Sequence, residues 1–120
     1  MTKPCEGLHA LIVEDEALVS MLIEDMLTDL GCANIAYAAS VPEALTRIDT
    51  ARPDIAVLDV NLAGKPVFPV AEKLAALGVP FMFTTGYGAS GVPREWAGRP
   101  VIQKPFMIES LSEALVRLRG

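Results

Sequence analysis

The sequence predicts an α/β domain built on a five-stranded parallel sheet, with helices on both faces and a short or irregular fourth helix. Three observations carry this. Short apolar runs alternate with stretches of helical periodicity along the whole chain, an order that leads to a parallel sheet with helical crossovers. The run Asp54-Ile55-Ala56-Val57-Leu58-Asp59 is unbroken, as in a central strand covered on both sides. Glycines stand where helices should end, at Gly31 and Gly78.

The elements follow in order. Leu8 to Val13 reads as a buried strand that stops at the acidic Glu14-Asp15-Glu16. From Ala17 to Leu30, the residues Val19, Ile23, Met26, Leu27 and Leu30 recur at helical spacing before Gly31. Asn34 to Ala38 is a weak strand. Ser40-Val41-Pro42-Glu43 has capping-box form and starts a helix that runs to about Thr50, stopped by Arg52-Pro53. The central strand ends on Asp59, and a loop from Val60 to Pro66 leads to a helix carrying Val70, Leu74 and Leu77. Val79 to Thr84 is the fourth strand. The glycine-rich Thr85-Gly86-Tyr87-Gly88-Ala89-Ser90-Gly91-Val92-Pro93 opposes a regular helix, since Gly and Pro both disfavour one. Pro100 to Ile102 gives a fifth strand, and Met107 to Arg119 a last helix with Ile108, Leu111, Leu115 and Leu118 on one face.

A chain of 120 residues fits a single domain, here residues 1–120, with no separate output domain expected. With 52% hydrophobic and 21% charged residues, the composition is that of a globular protein rather than a disordered one. Cys5 and Cys32 fall in no metal-binding pattern and suggest neither a zinc site nor a disulfide framework, so a reduced cytoplasmic setting is the expectation. No apolar run approaches the roughly 20 residues that span a bilayer, and the N-terminus lacks a signal-peptide apolar region. A net charge of −5 without a basic stripe argues against nucleic acid as a direct partner, and no membrane partner is expected.

Ligands of open parallel sheets bind beyond the carboxyl ends of the strands. There the chain places Glu14, Asp15, Asp59, Thr84, Thr85 and Lys104. Carboxylates gathered within about 4 Å repel by several kcal/mol at an effective dielectric near 20, so they call for a cation. Magnesium suits all-oxygen ligands and commonly serves phosphate chemistry. A carboxylate at such a site can act as nucleophile towards phosphorus, with a lysine and a hydroxyl steadying the phosphoryl oxygens. Each residue also has a plainer role open to it. Glu14 to Glu16 complement the positive end of the next helix, Asp59 suits a turn, and Lys104 suits a solvated surface. His9, Trp96 and the methionines read as structural, and Thr84 as facing the core or backbone.

Glu14-Asp15, Pro53 to Asp59, Thr85-Gly86 and Lys104-Pro105-Phe106, taken together and in this order, resemble the receiver domain of bacterial two-component response regulators, a flavodoxin-like fold. The resemblance covers nearly the whole chain. It implies that Asp59 accepts a phosphoryl group from a histidine kinase or phosphotransfer protein. It also implies that Asp15, Asp59 and the Asn61 backbone carbonyl hold Mg2+, with Glu14 bound through water. Lys104 and Thr85 would contact the phosphoryl group, and Gly86 would keep the mouth of the site open. Pro80 to Gly88 is similar to the Phe-Ala-Thr-Gly-aromatic signature of the FAT GUY receivers, with Thr84 in place of Ala. Val101 stands where receivers usually carry an aromatic ring. The expectation is a stand-alone, non-enzymatic phosphoacceptor; because Val101 lacks the ring, Thr85 is read as the sensor, Gly86, Gly88 and Gly91 as keeping the following segment flexible, and Tyr87 as repositioned, so that the 85–97 segment changes on phosphorylation and a downstream protein target is bound.

Three other functions compete. A phosphorylation-independent binding receiver would keep the fold without using the site. An aspartate-nucleophile phosphatase is faintly suggested by Asp59-Val60-Asn61, but its second Asp is missing. A flavin protein needs a hydroxyl- and glycine-rich loop where this chain has three acids.

Overall fold

The structure, a computed structural model, describes residues 3–86 and 92–119. Its main sheet has five parallel strands in the order β2-β1-β3-β6-β7. In chain order the elements are β1 His9–Val13, α1 Ala17–Asp29, β2 Asn34–Ala38, α2 Val41–Thr50, β3 Ile55–Asp59, β4 Asn61–Leu62, β5 Lys65–Pro66, α3 Phe68–Ala76, β6 Phe81–Thr85, a 3₁₀ turn at Arg94–Trp96, β7 Val101–Gln103 and α4 Ile108–Arg119. The chain runs from β1 outward to β2, then returns past β1 to β3. That reversal opens a crevice between β1 and β3 at their carboxyl ends.

Alternation along the strands divides the core in two. Leu11, Val13, Ala56, Leu58, Phe81 and Phe83 face α2 and α3, where they meet Ala44, Ile48, Val70, Ala71 and Leu74. Ala10, Ile12, Ile55, Val57, Met82 and Ile102 face α1 and α4, against Ile23, Leu27, Leu111, Ala114 and Leu115. Every residue of β3 is buried, as a strand with helices on both faces requires.

The helix ends show why the chain turns where it does. Ser40 Oγ accepts from the Glu43 N–H at 3.2 Å, and Glu43 Oε1 accepts from Ala39 N–H at 2.7 Å, one residue beyond the usual capping-box partner. α1 and α3 close alike: the N–H groups of Gly31 and Cys32 donate to Thr28 and Leu27, and those of Gly78 and Val79 to Ala75 and Leu74. Both glycines take positive φ, +104° and +73°. They differ in their surroundings. A Cβ at Gly31 would lie 2.9 Å from Glu6 Cα, whereas at Gly78 no atom of the described residues lies within 4 Å. Gly78→Ala is therefore expected to cost about 1 kcal/mol, the left-handed penalty alone, and Gly31→Ala about 2 kcal/mol or more. Urea unfolding of the two variants checks this, and equal losses would show that the Glu6 contact is immaterial.

Four expectations need correction. Cys5 and Cys32 form a disulfide with Cα atoms 4.9 Å apart. Their spacing of 27 residues hid this, but each cysteine lies just upstream of one of two paired parallel strands, β1 and β2, which begin together at His9 opposite Asn34. The loop after Asp59 contains a small antiparallel hairpin, β4 with β5, turned by Ala63 (φ +51°) and Gly64 (φ +89°). The fourth strand starts at Phe81, not Val79, and the last helix at Ile108, with Met107 exposed. Leu77 caps α3 at 37% exposure instead of packing on the core.

Of the segment expected to form an irregular fourth helix, the described part carries a 3₁₀ turn, Arg94–Trp96. Trp96 packs edge-on against Phe81, with ring centroids 5.7 Å apart. The expectations for Tyr87, Gly88 and Gly91 lie outside the described residues. Among the described residues, no helix is long and apolar enough to cross a membrane.

Candidate functional site

Each strand end delivers one part of the site. Beyond β1, the Glu14 N–H donates to Ala38 O at 3.0 Å, which fixes the acidic turn against β2. Its carboxylate accepts from Glu16 N–H at 3.1 Å and from the Lys104 ammonium at 2.8 Å. Asp59 is the last residue of β3, held by the Val60 N–H bond to Thr84 O at 3.0 Å. Its Oδ1 accepts from the Asn61 N–H at 3.3 Å. β6 ends at Thr85, whose carbonyl accepts the Lys104 N–H at 2.8 Å and so ties the start of the β7–α4 loop to the same rim. The Lys104-Pro105 peptide is cis.

Lys104 Nζ is the centre of the arrangement. It stands 2.8 Å from Glu14 Oε1 and 3.2 Å from Asp59 Oδ2, so one cation links two carboxylates carried by adjacent strands. Glu14 is 4% exposed and Asp59 6%. Burial pushes the Glu14 carboxyl up from its ordinary range, and the charge of Asp59 adds to this; the Lys104 hydrogen bond opposes both. For Lys104, burial is the largest single influence and presses downward. The Glu14 hydrogen bond and the charges of Asp59 and Glu14 together outweigh it, and the ammonium is held above its usual value. All three side chains are thus tied to one electrostatic unit.

Carboxylate oxygens of Glu14, Asp15 and Asp59 lie within 4.8 Å of one another. Magnesium bonds of about 2.1 Å set octahedral oxygen ligands roughly 3 to 4 Å apart, so this hard, all-oxygen set fits such an ion after a small contraction. A cavity of about 320 Å³ opens at the rim, lined by Asp59, Val60, Asn61, Thr85, Gly86 and Lys104. The expected residues Glu14, Asp15, Asp59, Asn61, Thr85 and Lys104 are therefore brought to one crevice. Among the described residues, Gly86 has nothing within 4 Å of the position a Cβ would take.

Sequence reasoning missed two features. The side chain of Asn61, considered only for its backbone carbonyl, accepts the Gly64 N–H at 2.8 Å and closes the hairpin turn beside Asp59. An Asn three residues before a Gly in a short turn was the available signal. The second feature is an apolar groove of about 310 Å³ next to the crevice, lined by Val19, Leu22, Met26, Pro105 and Phe106, with Glu16 and Lys104 at its edge. Leu18, Met21 and Leu22 on α1 are 77%, 58% and 58% exposed. Outward-facing apolar residues on an amphipathic helix are visible in the sequence only once the buried face is known.

Comparison with known proteins agrees with this architecture. The model of the response regulator receiver domain matches residues 10–116. The solution structure of SdrG from Sphingomonas melonis Fr1 is 41% identical and superimposes with a TM-score of 0.86, covering 95% of this chain and 98% of that one. A BeF3-activated conformation of SdrG gives 0.81 at 42% identity, covering 93% and 96%. The receiver domain of Erythrobacter litoralis PhyR gives 0.82 at 26% identity, covering 95% and 91%. Among curated proteins, the transcriptional regulatory protein PdtaR of Mycobacterium tuberculosis is 27% identical over 111 residues, 89% of this chain and 54% of its own length. The chain spans about half the length of the curated relatives it matches.

Proposed function

The chain belongs to the response regulator receiver family, and on that premise we propose that Asp59 accepts a phosphoryl group from a phosphohistidine of a histidine kinase or phosphotransfer protein. One observation carries this: a buried carboxylate at the floor of an open cavity, with a lysine ammonium 3.2 Å away. An Asp59 oxygen attacks phosphorus in line. The P–N bond of the donor breaks, its electron pair passes to the ring nitrogen, and the product is an acyl phosphate on Asp59.

Little of this requires covalent chemistry from the rest of the protein, so positioning and charge do the remainder. Magnesium, when held by Asp15, Asp59 and the Asn61 carbonyl, with Glu14 through water, supplies positive charge to the phosphoryl oxygens. Lys104 would supply a second positive charge and the Thr85 hydroxyl a donor; loss of one such donor typically costs about 10²–10³-fold in rate. Gly86 leaves room for the incoming group. The groove along α1 and Phe106 is the surface we assign to the phosphodonor protein, because it is apolar and abuts the crevice. The chain keeps its phosphoryl group instead of turning over substrates, and the consequence is a change at residues 85–97 read by a downstream protein. That SdrG has a BeF3-activated conformation supports a switch of this kind.

Incubation with radiolabelled acetyl phosphate and magnesium tests the proposal. Stoichiometric label that hydroxylamine removes is expected, with no label in the presence of a chelator. Steady release of phosphate from many substrates would make the protein a phosphatase, and absence of label under all conditions would leave a binding surface only.

A further inference from the structure

Thr84 is the residue at which the chain departs from the Phe-Ala-Thr-Gly signature, and it is wholly buried. Its hydroxyl oxygen has no hydrogen-bond partner among the described groups. An unpaired buried hydroxyl is costly, and an apolar group of the same shape would normally be the better choice. Its placement supplies a reason. Side chains two apart on a strand share a face, and the face of Ala10, Ile12, Val57, Met82 and Ile102 continues to Glu14, Asp59, Thr84 and Lys104. Thr85 lies on the alternate face. In register, Thr84 is flanked by Asp59 on β3 and Ile102 on β7.

Lys104 follows β7, yet its ammonium contacts Asp59 of β3 and Glu14 beyond β1. Strands are about 4.8 Å apart, and β6 lies between β7 and β3. The lysine side chain must therefore cross the end of β6, on the face that carries Thr84. An ammonium has three donors, and two of them are directed at the carboxylates.

We infer that Thr84 is a positioning residue for Lys104: its hydroxyl accepts an N–H of the ammonium when a phosphoryl group on Asp59 draws that ammonium away from Glu14. This rests on the phosphoacceptor role proposed for Asp59. Glu14 is the contact farthest from β7, so releasing it shortens the reach of Lys104 and brings Nζ back towards β6. The hydroxyl left unpaired in the resting protein is paired in the phosphorylated one, which biases the equilibrium towards the latter.

The test compares Thr84→Val, which keeps the shape and removes the hydroxyl, with Thr84→Ser, which keeps the hydroxyl. In protein free of metal and phosphodonor, Thr84→Val should have a thermal midpoint equal to or above that of the unchanged chain. Its beryllofluoride affinity and its rate of labelling by acetyl phosphate should both fall about tenfold, as expected for loss of one charge-assisted hydrogen bond. Thr84→Ser should restore both to within a few-fold. Unchanged beryllofluoride affinity in Thr84→Val overturns the inference, as does a fall matched by an equal loss of resting stability, which marks a packing role. If the unchanged protein neither binds beryllofluoride nor takes label, the failure lies with the Asp59 reading, and this inference falls with it.

Discussion

Asp59→Asn is expected to abolish labelling by acetyl phosphate, with a loss on the order of 10⁴-fold or more, as for removal of other enzymic nucleophiles. The amide has nearly the shape of the carboxylate but no charged oxygen with which to attack phosphorus. The fold should persist. Asn at this position still accepts the Asn61 N–H, now 3.3 Å from Asp59 Oδ1. It also removes a charge that pushes Glu14 up, so the buried cluster keeps one lysine for one neighbouring carboxylate. Thermal unfolding of the variant should match that of the parent within about 1 kcal/mol. Magnesium affinity should fall, since one anionic ligand is lost. Hydroxylamine-sensitive label on the variant would show that another residue is the acceptor.

The second large effect is at the opposite end of the sheet. The Cys5–Cys32 disulfide closes a loop across a sequence separation of 27, and a bridge over a loop of that size stabilises by about 3 kcal/mol. For a domain of this length that is roughly 10 °C in Tm. Opening the bridge frees the segment that precedes β1, where Cys5 N–H donates to Leu30 O at 3.0 Å and Gly7 N–H to Gly31 O at 3.1 Å. The double variant Cys5→Ala, Cys32→Ala should lose this increment, and dithiothreitol should take the unchanged protein to the same stability. Equal stability of the parent with and without reductant would remove the bridge from any account of the fold.

What the sequence discloses follows the range of each interaction. α2 and the glycine-closed ends of α1 and α3 are set by neighbours within a few residues, legible in Ser40 to Glu43, Gly31 and Gly78, while β3 pairs with distant strands but is legible as the unbroken apolar run Ile55 to Asp59. The convergence of Glu14, Asp15, Asp59 and Lys104 is legible too, because parallel topology sends every strand end to one rim. The bridge of Lys104 to two carboxylates is not, since it depends on how far a long side chain reaches across three strands. The disulfide was hidden for a related reason. Its partners are distant in sequence and adjacent only through the pairing of β1 with β2. The β4–β5 hairpin escaped notice because Ala63, a residue with no preference for positive φ, makes half of its turn.

Trp96 is the only tryptophan in the chain, and its indole nitrogen is buried without a hydrogen-bond partner among the described residues while its ring leans on Phe81. Phe81 in turn contacts Phe83, at 5.5 Å, on the strand that ends at Thr85. Trp96 as a whole is only part-buried, and indole emission moves with the amount of water around the ring, so this chain carries its own optical reporter. The reporter lies on the 3₁₀ turn that follows Thr85 later in the chain, and reading it needs no label, tag or substitution. A change that begins at Asp59 and reaches the 3₁₀ turn will alter the colour or intensity of a single emitter, and a change that stops short of the turn will leave it dark to the titration.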